Sequence, residues 1–174
     1  MAVYTTIDDS EAFFQVHLYT GTGSTNARTL GGDTDLQPDL VWVKKRSATQ
    51  EWACADAARS GDNILYLNGN NSNDTTAGII PSFQSDGFTV GSAGNGTGTN
   101  YTNTSSQTYV AYCWKGGTTS GITGTADITP SAYSFNTTSG FSVCKYSGVG
   151  NAGDTLKTGL SSGIDFYFLK RVDS

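Results

Sequence analysis

His17 is the only histidine in the chain, and Glu11 and Glu51 are its two glutamates. Those three side chains bound the acid–base chemistry open to it. A Ser-His-Asp arrangement would have to run through His17. His17 lies in an alternating run with Gln15 and Tyr19 as same-face neighbours, which is the setting of an ordinary exposed or rim side chain. A metal site built from several imidazoles is excluded by the count. Glycoside hydrolysis on a β-sandwich needs two carboxylates across a cleft, roughly 5–9 Å apart. Here Glu11 stands at a strand edge and Glu51 alone, and the aspartates Asp33, Asp35, Asp62, Asp74, Asp86 and Asp154 fall in turn-like sequence. The chain reads as non-enzymatic.

Two kinds of binding chemistry remain. Calcium takes about six to eight oxygen ligands. The run Asn68–Asp74 offers Asn70 and Asp74, and Asp33 and Asp35 would add two carboxylates if their loop lies near. The plainer alternative is that Asn and Gly in that run supply left-handed backbone in a long turn. Calcium is the one cofactor left open, and no other is expected. Carbohydrate recognition sets exposed aromatic rings against sugar faces and uses a few polar groups for orientation. The segment Thr108–Trp114 supplies two alternating sets, Tyr109/Ala111/Cys113 and Val110/Tyr112/Trp114. The plainer reading packs Tyr112 and Trp114 inside and leaves Tyr109 bordering solvent. Tyr101, beside Asn100 and Asn103 in a long polar loop, is the better exposed candidate, so the sugar-binding set is Tyr101, Asn100, Asn103 and Tyr109.

The frame that positions these groups is read from composition. Of 174 residues, 77 are Gly, Thr, Ser or Asn, and only 14% are charged, against a usual ~25%. Helix surfaces are built from Glu, Lys, Arg, Gln and Ala, and two glutamates argue against a helical protein. Thr, Tyr, Phe, Val and Ile suit a pleated, half-buried surface, and 11% aromatics supply a core. A net charge of −5 excludes a phosphate-gripping nucleic-acid binder, because the one basic cluster, Lys44-Lys45-Arg46, reads as a solvated strand end. No apolar run reaches the ~20 residues of a membrane span. Three widely spaced cysteines, Cys54, Cys113 and Cys144, fit neither a disulfide framework nor a zinc site. They point to a reducing cytoplasm, in which the six Asn-X-Ser/Thr triplets are by-products of composition.

Short apolar runs alternate with turn signals along the chain. Ala12–Tyr19, Leu40–Lys44, Asn63–Leu67, Gly87–Val90, Thr108–Trp114, Gly140–Tyr146 and Phe166–Lys170 read as strands, and Trp52–Ala58 as a strand or a short helical turn. Eight to ten short strands suggest a sandwich or barrel. The whole chain, 1–174, is read as one β-sandwich domain, with an internal boundary near 116–124 opening a partial second repeat over 125–174. The repeat rests on an echo. Val16-His17-Leu18-Tyr19-Thr20-Gly21 resembles Val143-Cys144-Lys145-Tyr146-Ser147-Gly148, and Asp39-Leu40-Val41-Trp42-Val43-Lys44-Lys45 resembles Asp165-Phe166-Tyr167-Phe168-Leu169-Lys170-Arg171. Either the chain belongs to a longer tandem array, or its last two strands return to complete the first sandwich.

Five motifs spread over nearly the whole chain carry a family resemblance. They are Tyr4-Thr5-Thr6-Ile7-Asp8-Asp9, Tyr19-Thr20-Gly21-Thr22-Gly23, Leu36-Gln37-Pro38-Asp39-Leu40-Val41-Trp42-Val43-Lys44, Phe83-Gln84-Ser85-Asp86-Gly87-Phe88-Thr89-Val90-Gly91 and Tyr109-Val110-Ala111-Tyr112-Cys113-Trp114-Lys115-Gly116-Gly117. Their combination resembles a family of virion-surface and tail-fibre domains of tailed, often marine, bacteriophages. The resemblance implies an antiparallel β-sandwich of the concanavalin, lectin-like jelly-roll type and carries no catalytic residue. It implies a virion structural protein assembled in the bacterial cytoplasm, with other phage virion proteins as partners. A tail-fibre or spike module contacting host-surface glycan is the first expectation, and capsid decoration with no soluble ligand is the alternative. The low charge and Thr-rich strands suit a homo-oligomer, for which a trimer fits; neither nucleic acid nor membrane is an expected partner.

Overall fold

Ten strands and one helical turn are seen in a computed structural model that describes residues 7–75, 78–91, 99–161 and 163–173, without the side chains of residues 99 and 100. The strands are β1 Phe14–Thr20, β2 Asn26–Arg28, β3 Leu40–Lys45, β4 Ala53–Asp56, β5 Leu65–Tyr66, β6 Ser82–Gln84, β7 Gly87–Val90, β8 Thr108–Trp114, β9 Ala132–Asn136 and β10 Phe141–Lys145, with α1 at Thr99–Thr102. They form a five-stranded sheet in the order β1-β8-β3-β4-β5, a three-stranded sheet β2-β7-β6, and a separate β10-β9 hairpin. Every strand pair is antiparallel. First pairs with eighth, second with seventh and fourth with fifth, the nested wrapping of a jelly roll. The protein is an all-β antiparallel sandwich.

The register sorts the five-stranded sheet into two faces. Gln15, Cys113, Val41 and Ala55 share one inward row, and His17, Ala111, Val43, Ala53 and Tyr66 the next. This face is built from small side chains because bulky ones oppose it. Phe88 and Val90 from β7, with Leu36, Ile79 and Ile80 from connecting segments, are all fully buried against it. Each such apolar side chain contributes about 1.5–3 kcal/mol.

At one end of the sandwich Tyr19 and Tyr109 stack, with ring centroids 5.2 Å apart. Each hydroxyl finds backbone: Tyr19 donates to the Thr102 carbonyl, and Tyr109 accepts from the Thr104 N–H. This corrects the expected facing of β8. Tyr109 is fully buried, while Tyr112 and Trp114 face outward and are half-buried. Tyr109 goes inside because its hydroxyl is satisfied there, beside Ala111 and Cys113, which leave room for the facing layer.

The outer face is apolar too. Val16, Tyr112, Trp42, Cys54 and Leu65 form one row across all five strands, and Phe14, Trp114 and Leu40 another, which ends on β4 at the buried Asp56, paired with Arg59. The second part of the chain packs over it. Gly117 N–H donates to Ser134 Oγ, Asn136 Nδ2 donates to the Gly116 carbonyl, and Phe141 lies nearly parallel to Trp114, 12° between planes. β9 and β10 pair with each other, and β9 adds one bridge, Phe135 with Thr118, so neither hairpin strand pairs with a strand of the two sandwich sheets. Asp165–Arg171 is not a strand either, although it echoes β3. It runs extended across the outer face, with Phe168 against Trp42, because no described strand lies beside it as β8 and β4 lie beside β3. Among the described residues no helix is long and apolar enough to cross a membrane. All three cysteines are unpaired.

Candidate functional site

The three tryptophans gather on the outer face of the five-stranded sheet. Trp52, Tyr112, Trp114 and Phe141 form a row of roughly parallel rings with centroids 6.1, 6.3 and 6.4 Å apart. Trp42 meets Trp114 edge-on at 4.9 Å, and Phe14 tilts against Trp114 at 5.0 Å. Lys44 sits over the Trp52 ring, its Nζ 5.8 Å from the centroid. The row exists because Tyr112 and Trp114 are two residues apart on one strand, Trp42 is the cross-strand neighbour of Tyr112, and Phe14 that of Trp114.

At the Phe14 end the row opens into a cleft of about 240 Å³, lined by Ile7, Ser10, Phe13, Phe14, Trp114, Ser139 and Phe141. The Ser139 hydroxyl is buried and bonded to no described residue. A buried hydroxyl without a partner costs about 1–3 kcal/mol, so it is a group that a ligand could satisfy. The volume lies just under the ~300 Å³ at which drug-sized pockets begin; it suits one ring rather than an extended chain. A larger hollow of about 320 Å³, lined by residues 123–126 and 155–160, has neither an aromatic ring nor a carboxylate.

The residues singled out from sequence are dispersed. Asn103 is fully buried; its Oδ1 accepts the Thr22 N–H, and its Nδ2 donates to the Ser24 and Gly91 carbonyls at 2.7 and 2.5 Å. It is a tie between loops and offers nothing to a sugar, as is equally true of the buried Tyr109. Tyr101 is half-buried, with its ring 4.6 Å from that of Tyr66 and packed on the core. The side chain of Asn100 lies outside the described residues.

The proposed calcium ligands also separate. Asp33 N–H donates to Glu11 near the start of β1, whereas Asp74 accepts from the Tyr66 hydroxyl beside β5. These are opposite edges of the sheet, about 19 Å apart at ~4.8 Å per strand, so Asp33 and Asp35 do not join Asp74 and Asn70. Among the described residues no group of three His, Cys, Asp or Glu side chains is placed to hold a metal ion. The turn explanation for 68–74 is corrected as well, since no residue there has positive φ. Its asparagines work through side chains instead. Asn68 Oδ1 accepts the Trp52 N–H, and Asn73 bonds Arg59 and Asn63.

His17 lies at the sheet edge on the inward face, stacked on Tyr19. Partial burial, and then Arg28, lower its pKa from 6.5, with Asp86 opposing. Burial pushes the Cys54 and Cys113 thiols up to about 12, which leaves them inert. The aromatic row was missed from sequence, although a signal for it exists. Trp42, Tyr112 and Trp114 each alternate with small or branched apolar residues, so both faces of β3 and β8 are apolar, as in strands covered on both sides.

Residues 9–174 match a family described as a domain of unknown function, DUF7483, and the chain belongs to that family. No curated protein and no solved structure matches it.

Proposed function

We propose, with membership of that family as the starting point, that the protein is a bacteriophage virion-surface module of tail-fibre or spike type that contacts host-surface glycan through its outer aromatic face. The observation that carries the reading is the cleft between Phe14, Trp114 and Phe141, with the unpartnered Ser139 hydroxyl on its wall. Rings that cover an apolar sugar face and a hydroxyl that exchanges one hydrogen bond are the elements of a sugar subsite. The motif resemblance supplies the virion setting and, with it, assembly in the bacterial cytoplasm. The module acts by binding, without catalysis.

Saturable adsorption of the labelled protein to host cells, competed by isolated surface glycan, tests the proposal. Ser139→Ala should weaken adsorption by about three- to tenfold, the value of one neutral hydrogen bond, while the free protein keeps or gains stability, since a buried unpartnered hydroxyl is removed. Phe14→Ala should weaken it further, and Tyr101→Ala should leave it intact. Adsorption that no glycan competes for, or that is indifferent to both cleft variants, would refute the assignment. The second reading is capsid decoration, favoured by the run of exposed apolar residues at Ile164–Leu169, a surface of the kind that docks on protein. Antibody labelling of intact virions separates the two: signal at fibres or tail tip supports the first, and signal spread over the head supports the second.

A further inference from the structure

Eight of the nine large apolar side chains exposed among the described residues fall in two places: Phe14, Val16 and Leu18 on β1, and Ile164, Phe166, Tyr167, Phe168 and Leu169 in the C-terminal segment. Both places also present unused backbone. β1 is the end strand of the five-stranded sheet, and the bonds on its open side among the described residues lie at its two ends, Phe14 N–H to the Ser10 carbonyl and Arg28 to the Thr20 carbonyl. From Gly163 to Arg171 no backbone group bonds to another described residue. The segment is nevertheless held in place. Phe168 packs on Trp42, Lys170 Nζ donates to the Gly69 carbonyl, and the Val172 carbonyl accepts from Asn73 N–H. From Phe168 onward alternate residues thus grip the chain's own sandwich, which leaves Tyr167, Leu169 and Arg171 outward, 72% and 63% exposed for the first two, with Phe166 exposed beside them. A long, apolar, unpaired edge is a template for another strand.

We propose that the outward side of Asp165–Arg171 in one copy docks antiparallel on the open β1 edge of a second copy, giving a head-to-tail homo-oligomer. Charge selects both the partner and the direction. Exposed Asp8, Asp9 and Glu11 precede β1, and Arg28 is bonded at its far end. The tail carries Asp165 at its start and Lys170-Arg171 at its end. Both stretches are seven residues, about 20 Å at ~3.3 Å per residue. Laid antiparallel, they bring Arg171 to the acidic approach of β1 and Asp165 to Arg28, and leave Tyr167 and Leu169 against Leu18 and Val16. A parallel arrangement would set Asp165 among three carboxylates. Since the tail and the β1 edge are different surfaces, the contact is heterologous, and repetition of it closes a ring or extends a filament.

The interface and the proposed sugar cleft share only Phe14, at the start of β1; the tail and edge variants below leave Phe14 and Ser139 in place, so either proposal can fail alone. Light scattering coupled to size-exclusion chromatography, with the whole chain at roughly 100 μM, would fill an interface with a Kd of ~10 μM or tighter. The wild-type chain should run as an oligomer. A tail variant, Tyr167→Asp/Leu169→Asp, and an edge variant, Val16→Lys/Leu18→Lys, should each run as monomers with unchanged circular dichroism and melting. Mixed one to one, they should form a dimer and nothing larger, because each retains the half that the other lacks. Arg171→Glu, a milder change on an exposed side chain whose bonded partner is the exposed Asp173, should weaken association at low salt. A monomeric wild-type chain would overturn the proposal and give the patch to a different partner. Single variants that still associate, or a mixture that stays monomeric, would overturn it as well.

Discussion

Asn103 separates a ligand-binding residue from a structural one more sharply than any other position. Its side chain makes three hydrogen bonds, to Thr22 N–H and to the Ser24 and Gly91 carbonyls, and is fully enclosed. Asn103→Ala deletes all three. At about 1 kcal/mol net per bond the loss is ~3 kcal/mol. The Gly91 carbonyl is left in a buried place that water does not reach, while the Thr22 and Ser24 groups are part-exposed and can be rehydrated, so the total stays near that figure. With a urea m-value of roughly 2–3 kcal/mol/M for a domain of this size, the unfolding midpoint should fall by about 1–1.5 M at unchanged slope. Asn103→Asp adds a second reading of the same geometry. It keeps the acceptor for Thr22 but turns an oxygen toward two carbonyls. The introduced carboxyl is therefore held protonated in the folded state, with its pKa above the ~3.9 of the unfolded chain. Between those two values the native state binds more protons, so stability falls as pH rises. The variant should recover toward wild type on acidification, a trend that Asn103→Ala lacks. If Asn103→Ala shifts stability by less than about 0.5 kcal/mol, the range of ordinary surface changes, the tie between these loops is not what the geometry indicates.

Three further outcomes follow from the same contacts. In the folded protein iodoacetamide should alkylate Cys144, which is only partly buried, before Cys54 and Cys113, whose thiols burial pushes up to about 12; intact-mass spectra showing equal rates would contradict this. His17 has a lowered folded pKa, so the unfolded chain binds more protons in the window below 6.5, and stability should drop as pH falls through it. His17→Gln should flatten that dependence, and an unchanged slope would assign it to another group. Gly91→Ala places a Cβ on the Gly78 carbonyl, and an overpacked contact between two backbones should cost about 1–3 kcal/mol in a thermal melt; a neutral result would mean that the two segments separate easily.

The fold was more legible than the surface. Thr108–Trp114 and Gly87–Val90 are visible to the residue because turn signals flank alternating or compact apolar runs. Asn26–Arg28 and Ser82–Gln84 carry no such pattern, as each is three residues long and pairs on the small sheet only because β7 lies next to it. Ala132–Asn136 was hidden by its own polarity. The faces of β8 were the costly error. Tyr109/Ala111/Cys113 and Val110/Tyr112/Trp114 are both apolar, and ring size does not say which set turns inward; that depends on Phe88, Ile79, Ile80 and Leu36, which sequence does not place opposite. Tyr101 and Asn103 misled for a related reason, since a polar loop was read as exposed when its side chains are spent tying other loops together.

The inversion of β8 also bears on the outer face. In a sandwich with a single core the largest apolar side chains turn toward the second sheet, and the outer face is polar. Here the inner face of β3, β4 and β8 presents Val41, Val43, Ala53, Ala55, Ala111 and Cys113, with Tyr109 the one large ring among them, while Trp42, Tyr112 and Trp114 turn away from the sandwich. Such a strand is stable only if both sides are kept from water. Phe141 and Phe168 cover part of the outer side, and the β1 end, with Phe14, Val16 and Leu18, stays open. Polar residues there would have cost the sandwich nothing, because its core lies on the other side of the sheet. Phe141 and Phe168 account for the part of the row they cover; the open β1 end is the part that the proposed sugar cleft and the proposed copy-to-copy contact would use.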